Sequence, residues 1–333
     1  MTGTTTYNTC GTSPLGDLFN TDDTGMSSTD NITKLTTLRM TGTCDTSLVT
    51  VFVDGISIGD ATNYDADCSS PGATYQILTS PALSTLTEGV HAITTVRSNA
   101  LGILYGAAPV SATTSFTVDT TPPTLTINQA AGQADPANVA LMNFTVVFSE
   151  AINPASFTAG DITLTGTGTA TIGTPTTSDN ITWNVPVTAT TDGTIIASMT
   201  ATKVTDVAGN DNTASTSTDN SVTYDTVAPS LTLTRAIGQT AISGSYSIYF
   251  SAVFIEAIDP ASFTTGDVTL SGTGTGTVTS VSQINATTFG ITVNVLTIGT
   301  FILNITTNKY SDPAGNSNIT TALSPTVEIV AGG

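Results

Sequence analysis

Two sets of oxygen-bearing side chains recur along the chain at a constant spacing of 106 residues. Each set combines four carboxylates with one carboxamide. The first set is Asp119, Glu150, Asp161, Asp206 and Asn210, and the second is Asp225, Glu256, Asp267, Asp312 and Asn316. Such oxygens are hard ligands that suit Ca²⁺, which takes about six to eight of them in a variable geometry. The residue types therefore predict a calcium site in each set, provided that the fold brings the members together.

A spacing of 106 residues is close to the length of one immunoglobulin-type β-sandwich. In a seven-stranded sandwich, strand A leaves one pole, strand B returns to it, strand C starts there and strand F returns to it. This order places the first residue of each set before A, the glutamate after B and the next aspartate before C. The last two residues fall in the F–G turn. All five are thus expected at one pole, although Asp and Asn also form turns through their own backbones without any metal.

The two sets belong to an internal repeat. Three motifs return 106 residues later: 148–157 at 254–263, 160–164 at 266–270, and 206–212 at 312–318. Each repeat begins at a joint in which an aspartate precedes a proline step, Asp119-Thr-Thr-Pro-Pro and Asp225-Thr-Val-Ala-Pro. Each unit is long enough to bury a core of its own.

Composition favours strands and limits the possible partners. The 333 residues include 6 Lys and Arg against 25 Asp and Glu, which gives a net charge of −19. Phosphate and anionic lipid both attract clustered Lys and Arg, so this charge argues against nucleic acid and membrane surfaces and favours cations. Thr, Val and Ile are frequent, and these β-branched residues favour strands. No apolar run is long enough to span a membrane, and residues 1–3 do not begin a signal peptide. We therefore expect either a removed signal or a segment of a longer protein.

The first third of the chain also has strand-like alternation. Strands are predicted at Leu38–Thr43, Val49–Asp54, Thr74–Leu78, His91–Val96 and Thr114–Val118. Asp54-Gly55 predicts a hairpin turn, because Gly tolerates the positive φ that such turns need.

All three cysteines, Cys10, Cys44 and Cys68, lie in this first third. An odd number in a secreted chain suggests one bridge and a leftover thiol, or a bond to another chain. Three reduced, buried thiols are the alternative.

The two repeats resemble the bacterial immunoglobulin-like repeats of large surface adhesins, through the Asp-Thr-x-x-Pro joint, the Phe-x-Glu corner and the Asp-x-Ala-Gly-Asn turn. The first third resembles a related type through Asp22–Gly25, Asp30–Thr33, Val51–Gly55 and Gly89–Thr94, but Asn99-Ala-Leu-Gly replaces its Asp-x-Ala-Gly turn. The resemblance implies calcium-stiffened joints and a Cys44–Cys68 disulfide. It also makes Asp22, Asp23, Asp30 and Asn99 a further candidate calcium set.

No catalytic arrangement is recognisable. The chain has one histidine, His91, and no nucleophile motif or phosphate-binding loop. Two carboxylates could act as a glycosidase pair only in a cleft, which repeated joints do not predict. We therefore expect no enzymatic activity. Lys203 and Lys309 are equivalent between the repeats, and we interpret them as strand F residues that neutralise the adjacent acidic pole.

The predicted fold class is all-β, with three tandem immunoglobulin-like β-sandwich domains in an elongated rod. The predicted boundaries are an N-terminal extension or arm at 1–21 and domains at 22–118, 119–224 and 225–333. We expect an extracellular structural or adhesive protein, a rod-like part of a cell-surface fibre with calcium-stiffened joints. Its expected partners are copies of itself, further immunoglobulin-like repeats, or a surface receptor or glycan, with no direct membrane insertion.

Two alternatives stay open. The first is a self-assembling filament subunit in which the N-terminal arm adds a strand to a neighbouring copy. The second is a carbohydrate-binding accessory module, which predicts exposed aromatic side chains on one face. Aromatic residues make up 6% of the chain and only one is Trp, which argues against the second alternative.

Overall fold

The described part of the chain is built from β-strands that are joined by loops and by short 3-10 helices. The structure is a computed structural model that describes residues 16–44, 48–60, 62–63, 73–78, 85–98 and 112–331. In these ranges it contains 26 strands and four 3-10 helices, and no α-helix. No helix of the described part is long and apolar enough to cross a membrane. The predicted all-β class is confirmed.

Residues 16–118, here called the N-terminal segment, form two sheets. The strands are β1 (Gly16–Leu18), β2 (Ile32–Thr33), β3 (Arg39–Cys44), β4 (Leu48–Val53), β5 (Ile56–Asp60), β6 (Thr62–Asn63), β7 (Ala73–Leu78), β8 (Gly89–Ser98) and β9 (Thr114–Val118). The sheet orders are β1-β3-β7-β6 and β2-β9-β8-β4-β5. Buried side chains from both sheets, Met40 and Val53 among them, share one core.

The five strands predicted here are each found within two residues of the expected bounds. Asp54 and Gly55 form the turn between β4 and β5, with φ of 51° and 77°, so the predicted hairpin is confirmed. Part of the predicted arm at 1–21, residues 16–18, forms strand β1. Strand β1 pairs with β3, and Leu18 is buried in the core. Its apolar side chain gains more from that core than from solvent, so residues 16–21 belong to the folded segment.

Residues 119–224, the middle segment, form a five-stranded and a three-stranded sheet. The strands are β10 (Leu125–Gln129), β11 (Leu141–Phe148), β12 (Thr163–Thr165), β13 (Thr169–Ile172), β14 (Thr176–Thr177), β15 (Thr182–Thr191), β16 (Gly193–Ser198) and β17 (Ser221–Tyr224). Two 3-10 helices, Pro154–Ser156 and Ala159–Asp161, lie between β11 and β12. The sheets are β10-β11-β15-β13, with β14 also on β15, and β12-β16-β17.

Residues 225–331, the C-terminal segment, repeat this plan. The strands are β18 (Leu231–Arg235), β19 (Ile242–Ser243), β20 (Ser247–Phe254), β21 (Thr269–Ser271), β22 (Gly276–Asn285), β23 (Thr288–Val295), β24 (Gly299–Ile305), β25 (Ala322–Leu323) and β26 (Val327–Ile329), with 3-10 helices at Pro260–Ser262 and Thr265–Asp267. The sheets are β18-β20-β23-β22 and β19-β26-β24-β21, with β25 also on β24.

The core of each repeat lies between its two sheets. In the middle segment Phe144 and Trp183 from one sheet meet Ile195 from the other, and in the C-terminal segment Phe250 meets Phe301. Trp183 is buried and packs edge-on against Phe157, with ring centroids 4.9 Å apart, so the single Trp of the chain belongs to this core. The division of the chain into three domains at these boundaries stays a prediction.

Candidate metal centre

The fold brings three members of each predicted set together. We call Asp119, Glu150 and Asp206 the first trio; each offers one carboxylate oxygen, and the three oxygens lie within 4.8 Å of one another. The second trio, Asp225, Glu256 and Asp312, meets the same condition. Two oxygens bound to one Ca²⁺ are separated by at most twice the metal–oxygen distance of about 2.3–2.6 Å. Both trios are therefore compact enough to share one ion.

Asp206 is fixed by the loop that it belongs to, which runs from 199 to 220 between β16 and β17. The side chain is almost fully buried, and its Oδ1 accepts hydrogen bonds from the backbone N–H groups of Gly209 (2.6 Å) and Asn210 (2.8 Å). Gly209 has a φ of 92°, a conformation that glycine adopts at little cost. The turn motif therefore holds the carboxylate in place before any ligand binds.

Asn210 connects this loop to the joint. Its Nδ2 donates to Asp206 Oδ2 (2.9 Å) and to the backbone carbonyl of Asp119 (2.8 Å). The backbone N–H of Asp119 donates to the carbonyl of Thr33 in the N-terminal segment (2.8 Å). Asn316 makes the same two contacts, to Asp312 Oδ2 and to the carbonyl of Asp225. The predicted asparagines thus lie at the trios, with their amide groups bound to the carboxylate and the joint.

A further asparagine, to which the sequence analysis gave no role, holds each loop closed. Asn212 is buried; its Oδ1 accepts from the N–H groups of Lys203 and Val204, and its Nδ2 donates to the carbonyls of Thr200 and Thr213. Asn318 makes three equivalent contacts, and its fourth is to the carbonyl of Thr320, one residue beyond the equivalent position. Both residues are the last position of the repeated motif Asp-x-Ala-Gly-Asn-x-Asn, from which a shared role could have been predicted.

Glu150 lies just beyond the end of β11, where Ser149 anchors the corner. The N–H of Ser149 donates to the carbonyl of Thr124, and the N–H of Thr124 donates to Ser149 Oγ. Burial of the Glu150 carboxyl, together with the charges of Asp119, Asp206 and Glu88, raises its pKa to about 7. Burial, followed by the charges of Asp206 and Glu88, also raises the pKa of Asp119. The first trio therefore carries a strong, uncompensated negative potential.

The second trio also has uncompensated negative charge, and in addition one of its buried oxygens lacks a hydrogen-bond partner. Burial and the charges of Asp225 and Asp312 raise the pKa of Glu256. One oxygen of this side chain, Oε1, is buried without a hydrogen-bond partner. A buried polar atom left in that state costs free energy, which a cation at the trio would offset.

Asp161 and Asp267 are not members of either trio. Oδ2 of Asp161 accepts from the N–H and the hydroxyl of Thr158, both at 2.8 Å, which forms a capping box on the short helix Ala159–Asp161. Asp267 caps through Thr264 in the same way. The expected convergence of all five residues is therefore found for four, and the carboxylate before strand C is used for a turn.

At each joint, one acidic residue of the preceding segment binds the threonine that follows the joint aspartate: Glu88 at the first joint and Asp192 at the second. Neither was among the predicted ligands. Glu88 Oε2 accepts from the N–H and the hydroxyl of Thr120, and Oε1 accepts from the hydroxyl of Thr121. Asp192 accepts from the N–H and the hydroxyl of Thr226 in the same manner. Each of these acidic residues precedes a glycine of positive φ, Gly89 or Gly193. This shared acid–glycine pair is the sequence pattern from which their role at the joints could have been predicted.

A small cavity of about 380 Å³ lies beside the first trio, and residues from both segments line it. Glu88 and Gly89 line one side, and Ser149 and Glu150 line the other. The first site is thus formed between segments and has a fourth carboxylate nearby.

The N-terminal segment also grips the loop that carries Asp206. Thr24 Oγ1 donates to the carbonyl of Ala208 (2.7 Å), the N–H of Met26 donates to the carbonyl of Val207 (3.0 Å), and Lys34 Nζ donates to the carbonyl of Gly209. Gly25 lies so close to this loop that a Cβ would be 2.0 Å from the carbonyl oxygen of Val207.

The remaining predicted residues, which are the two lysines, the acidic residues of the N-terminal segment and the cysteines, do not take part in either trio. Neither Lys203 nor Lys309 lies in a strand or forms an ion pair within the described ranges, so the interpretation that they neutralise the trios is wrong. Asp22 pairs with Arg39, and Asp23 Oδ2 accepts from the N–H of Asn31. The backbone of Cys44 ends β3, but its side chain, like Cys10, Cys68 and Asn99, lies outside the described part. The Cys44–Cys68 bridge stays a prediction.

Residues 119–224 match the model of a protein family described as "Bacterial Ig-like domain". The middle segment is therefore a bacterial immunoglobulin-like domain, and the predicted resemblance is confirmed for it. No curated protein has a sequence that matches this chain.

Three solved structures illustrate what the chain is similar to. Invasin, described as a bacterial integrin-binding protein, is 12% identical; the match covers 96% of this chain and 60% of invasin, with a TM-score of 0.36. The I9–I11 tandem of titin is 10% identical, over 90% of this chain and 94% of the tandem, with a TM-score of 0.25. The N-terminal part of the bacterial S-layer protein SbsC is 12% identical, over 63% of this chain and 44% of that one, with a TM-score of 0.22.

Proposed function

We propose that this chain, whose middle segment is a bacterial immunoglobulin-like domain, is an extracellular structural protein of the adhesin type, and that Ca²⁺ bound at the two trios stiffens its joints. Asp119 and Asp225 would contribute the joint itself, Glu150 and Glu256 the corner after the second strand, and Asp206 and Asp312 the loop. The ion would connect these three parts of the chain directly.

One observation carries the proposal: two trios of carboxylates, in equivalent places of two repeats, converge within 4.8 Å with no cationic side chain paired to them in the described ranges. Like charges at this distance repel, and each trio raises the pKa of its glutamate. A divalent cation converts that repulsion into attraction. Carboxylate oxygens in a flexible arrangement favour Ca²⁺ over Mg²⁺, which demands a tighter octahedral geometry.

The stiffening follows from where the ligands lie. A trio joins the residue that begins each repeat to two places inside the same repeat, and at the first joint Glu88 of the preceding segment approaches as well. An ion there would reduce the rotation available about residues 119–123. A surface-exposed chain would meet the millimolar calcium at which extracellular modules are typically occupied.

Isothermal titration calorimetry of the metal-free chain tests the proposal directly. We expect two calcium ions per chain and a higher melting temperature in Ca²⁺ than in chelator. Small-angle X-ray scattering in the same two conditions should show a narrower distribution of shapes with Ca²⁺. A calorimetric trace without binding and an unchanged melting temperature would overturn the calcium joint and leave the structural role standing.

Variants at the glutamates separate specific binding from general attraction to an acidic protein. Glu150→Gln and Glu256→Gln should each remove one ion from the stoichiometry. Glu328→Gln removes the same charge from the exposed residue Glu328 in β26, so it should leave two ions bound. Loss of binding in this control would point to nonspecific screening.

A further inference from the structure

The C-terminal segment exposes far more apolar surface than the middle segment, although the two are repeats of one plan. Of the large hydrophobic side chains that are exposed among the described residues, 13 lie in the C-terminal segment and three in the middle segment. Both segments are described almost completely, so the comparison is direct. Scattered apolar residues are normal on a protein surface, so the contrast matters where exposed side chains lie together, as Ile237, Tyr249 and Ile284 do along one groove.

The same contrast appears in the edge strands. In the C-terminal segment, β22 is a ten-residue edge strand that pairs with β23 on one side and with no described strand on the other. In the middle segment the equivalent edge is divided into β13 and β14, and the buried Pro175 lies between them. Proline on an edge blocks strand addition, because it has no N–H to donate. The repeat-equivalent of Pro175 is Val281, so this protection is missing from β22.

Strand β22 also lacks the charges that usually protect an edge. None of the residues from Gly276 to Asn285 is charged. Two bulges, at Thr279 and Ile284, interrupt its register with β23, but pairing resumes after each. The stretch Ser280–Gln283 lies between the bulges and keeps a regular register with β23.

A groove next to this edge offers space for side chains. It has a volume of about 890 Å³ and crosses the outer face of the sheet β18-β20-β23-β22, with Tyr249 and Ile284 on its sides and Gly290 between them. The repeat-equivalents in the middle segment are Asn143, Ser178 and Asn184, which are polar. An unbroken edge strand without proline, next to a groove lined by Tyr249 and Ile284, thus distinguishes the C-terminal segment from the equivalent place in the middle segment.

The distribution of charge along the chain favours one segment, residues 1–15, as the partner of the β22 edge. The chain carries a net charge of −19, so two copies repel one another over most of their surfaces. Residues 1–15 contain no charged side chain and are rich in β-forming Thr and Tyr, as in Thr4-Thr5-Thr6-Tyr7. Fully extended, 15 residues reach about 50 Å, whereas a ten-residue strand needs only about 33 Å. A neutral segment of sufficient length therefore exists to pair with a neutral edge.

We propose that the free edge of β22 accepts an added β-strand and that residues 1–15 of a second copy of this chain supply it. Backbone hydrogen bonds to the edge would give affinity, and alternate side chains of the added strand would lie beside Ile284, at the margin of the groove. Because donor and acceptor lie in different segments, each copy can give one strand and receive another, which generates an open head-to-tail assembly. The proposal rests on the structural role proposed above and does not depend on calcium.

A complementation experiment tests this with the full chain under reducing conditions, which keep Cys10 from contributing. Light scattering after size-exclusion chromatography should show wild-type chains growing with concentration. A variant without residues 1–15 keeps only the acceptor, and the double variant Ser282→Glu, Ile284→Glu keeps only the donor. Each should be monomeric alone, whereas an equimolar mixture should give a one-to-one dimer that does not grow further.

The matched control is Thr176→Glu, Ser178→Glu, which adds the same two charges at the repeat-equivalent exposed positions of the middle segment. It should assemble like the wild type. Self-association of the variant without residues 1–15 would indicate symmetric pairing of two edges and overturn the proposal, as would a wild-type chain that stays monomeric at every concentration. Both readouts are taken in chelator, so failure here would leave the calcium titration unaffected.

Discussion

Glu150 is the residue whose ionisation is most strongly tied to the first joint. Burial and three neighbouring carboxylates raise its pKa from the ordinary 4.5 to about 7, so the protonated form is favoured in the folded state. In metal-free protein its contribution to stability is fully present below pH 4.5 and is lost as the pH rises through about 7. We expect the melting temperature of metal-free chain to fall between pH 5 and pH 8, and Glu150→Gln to flatten this slope.

Calcium should reverse that dependence, because the ion competes with the proton for the same carboxylate. Apparent affinity at the first site, measured by calorimetry at pH 6 and pH 8, should be higher at pH 8. Equal affinities at the two pH values would show that Glu150 is not a ligand.

His91 gives a second pH-dependent contact, away from both trios. Burial lowers its pKa, but hydrogen bonds to Asp54 Oδ2 (2.6 Å) and to the carbonyl of Thr87 (2.8 Å) outweigh this effect and raise the pKa above its ordinary value. The pairing therefore stabilises the fold at low pH and is lost as the pH rises through the raised value. Asp54→Asn should lower the His91 pKa measured by NMR titration, whereas Asp219→Asn, at a distant exposed position, should not change it.

At single positions, the sequence predicted the carboxylates better than their partners. Asp119, Glu150 and Asp206 were predictable because strand order alone sends them to one pole. Asp161 was misassigned because its spacing from Thr158 also fits a capping box, and that local bond prevails over a distant cluster. Lys203 was misassigned because residues 199–204 form part of a long loop and not of strand F.

At the scale of elements, the loop from 199 to 220 depends on one buried side chain. Asn212→Ala would leave four backbone groups of this loop without their partner. We expect a loss of about 2–4 kcal/mol in the free energy of unfolding, measured by urea denaturation. Asn184→Ala is the control, since this exposed side chain makes one long contact of 3.3 Å to Asn143, and it should cost less than about 0.5 kcal/mol. Similar losses for both variants would contradict the assigned role of Asn212.

Contact between the N-terminal segment and this loop depends on the absence of a side chain at Gly25. Gly25→Ala places a Cβ against Val207, whereas Gly55→Ala, at a similar positive φ, has no atom within 4 Å. Both variants bear the cost of a left-handed residue, so their difference isolates the contact. We expect faster hydrogen exchange at the Met26 amide, which donates to Val207, only in Gly25→Ala. Unchanged exchange would show that the two segments do not rely on this approach.

Elements of each repeat were predictable from alternation and from turn chemistry, as Phe301, Leu303 and Ile305 show by being fully buried on one face. The role of Glu88 was not, because it belongs to one segment and acts on Thr120 at the start of the next. Periodicity within a segment carries no information about how two segments meet. The grip of Thr24 on Ala208, across 184 residues, was hidden for the same reason.

At the scale of the whole molecule, the two joints should fill in order. The first trio has Glu88 as a nearby fourth charge, whereas burial and the two other carboxylates of its own trio raise the pKa of Glu256. Calcium affinity increases with the number of ligand charges, so we expect tighter binding at the first site at pH 8, where Glu150 is ionised. Calorimetry of Glu256→Gln, which leaves the first site, should give a lower Kd than that of Glu150→Gln. The reverse order would show that Glu88 is engaged fully by its threonines.

Both backbone polar groups of Asp119 are hydrogen-bonded: its N–H donates to the carbonyl of Thr33 in the segment before, and its carbonyl accepts from Asn210, 91 residues later. This arrangement matters when the chain is under tension. A force applied along the backbone at Asp119 is carried both by strand β10, which follows in the chain, and by the Asp206 loop, which is bound through Asn210. The two elements therefore resist the force in parallel. The joint between the two segments then lengthens little under load. A force on one segment is therefore transmitted to the next repeat instead of extending the joint.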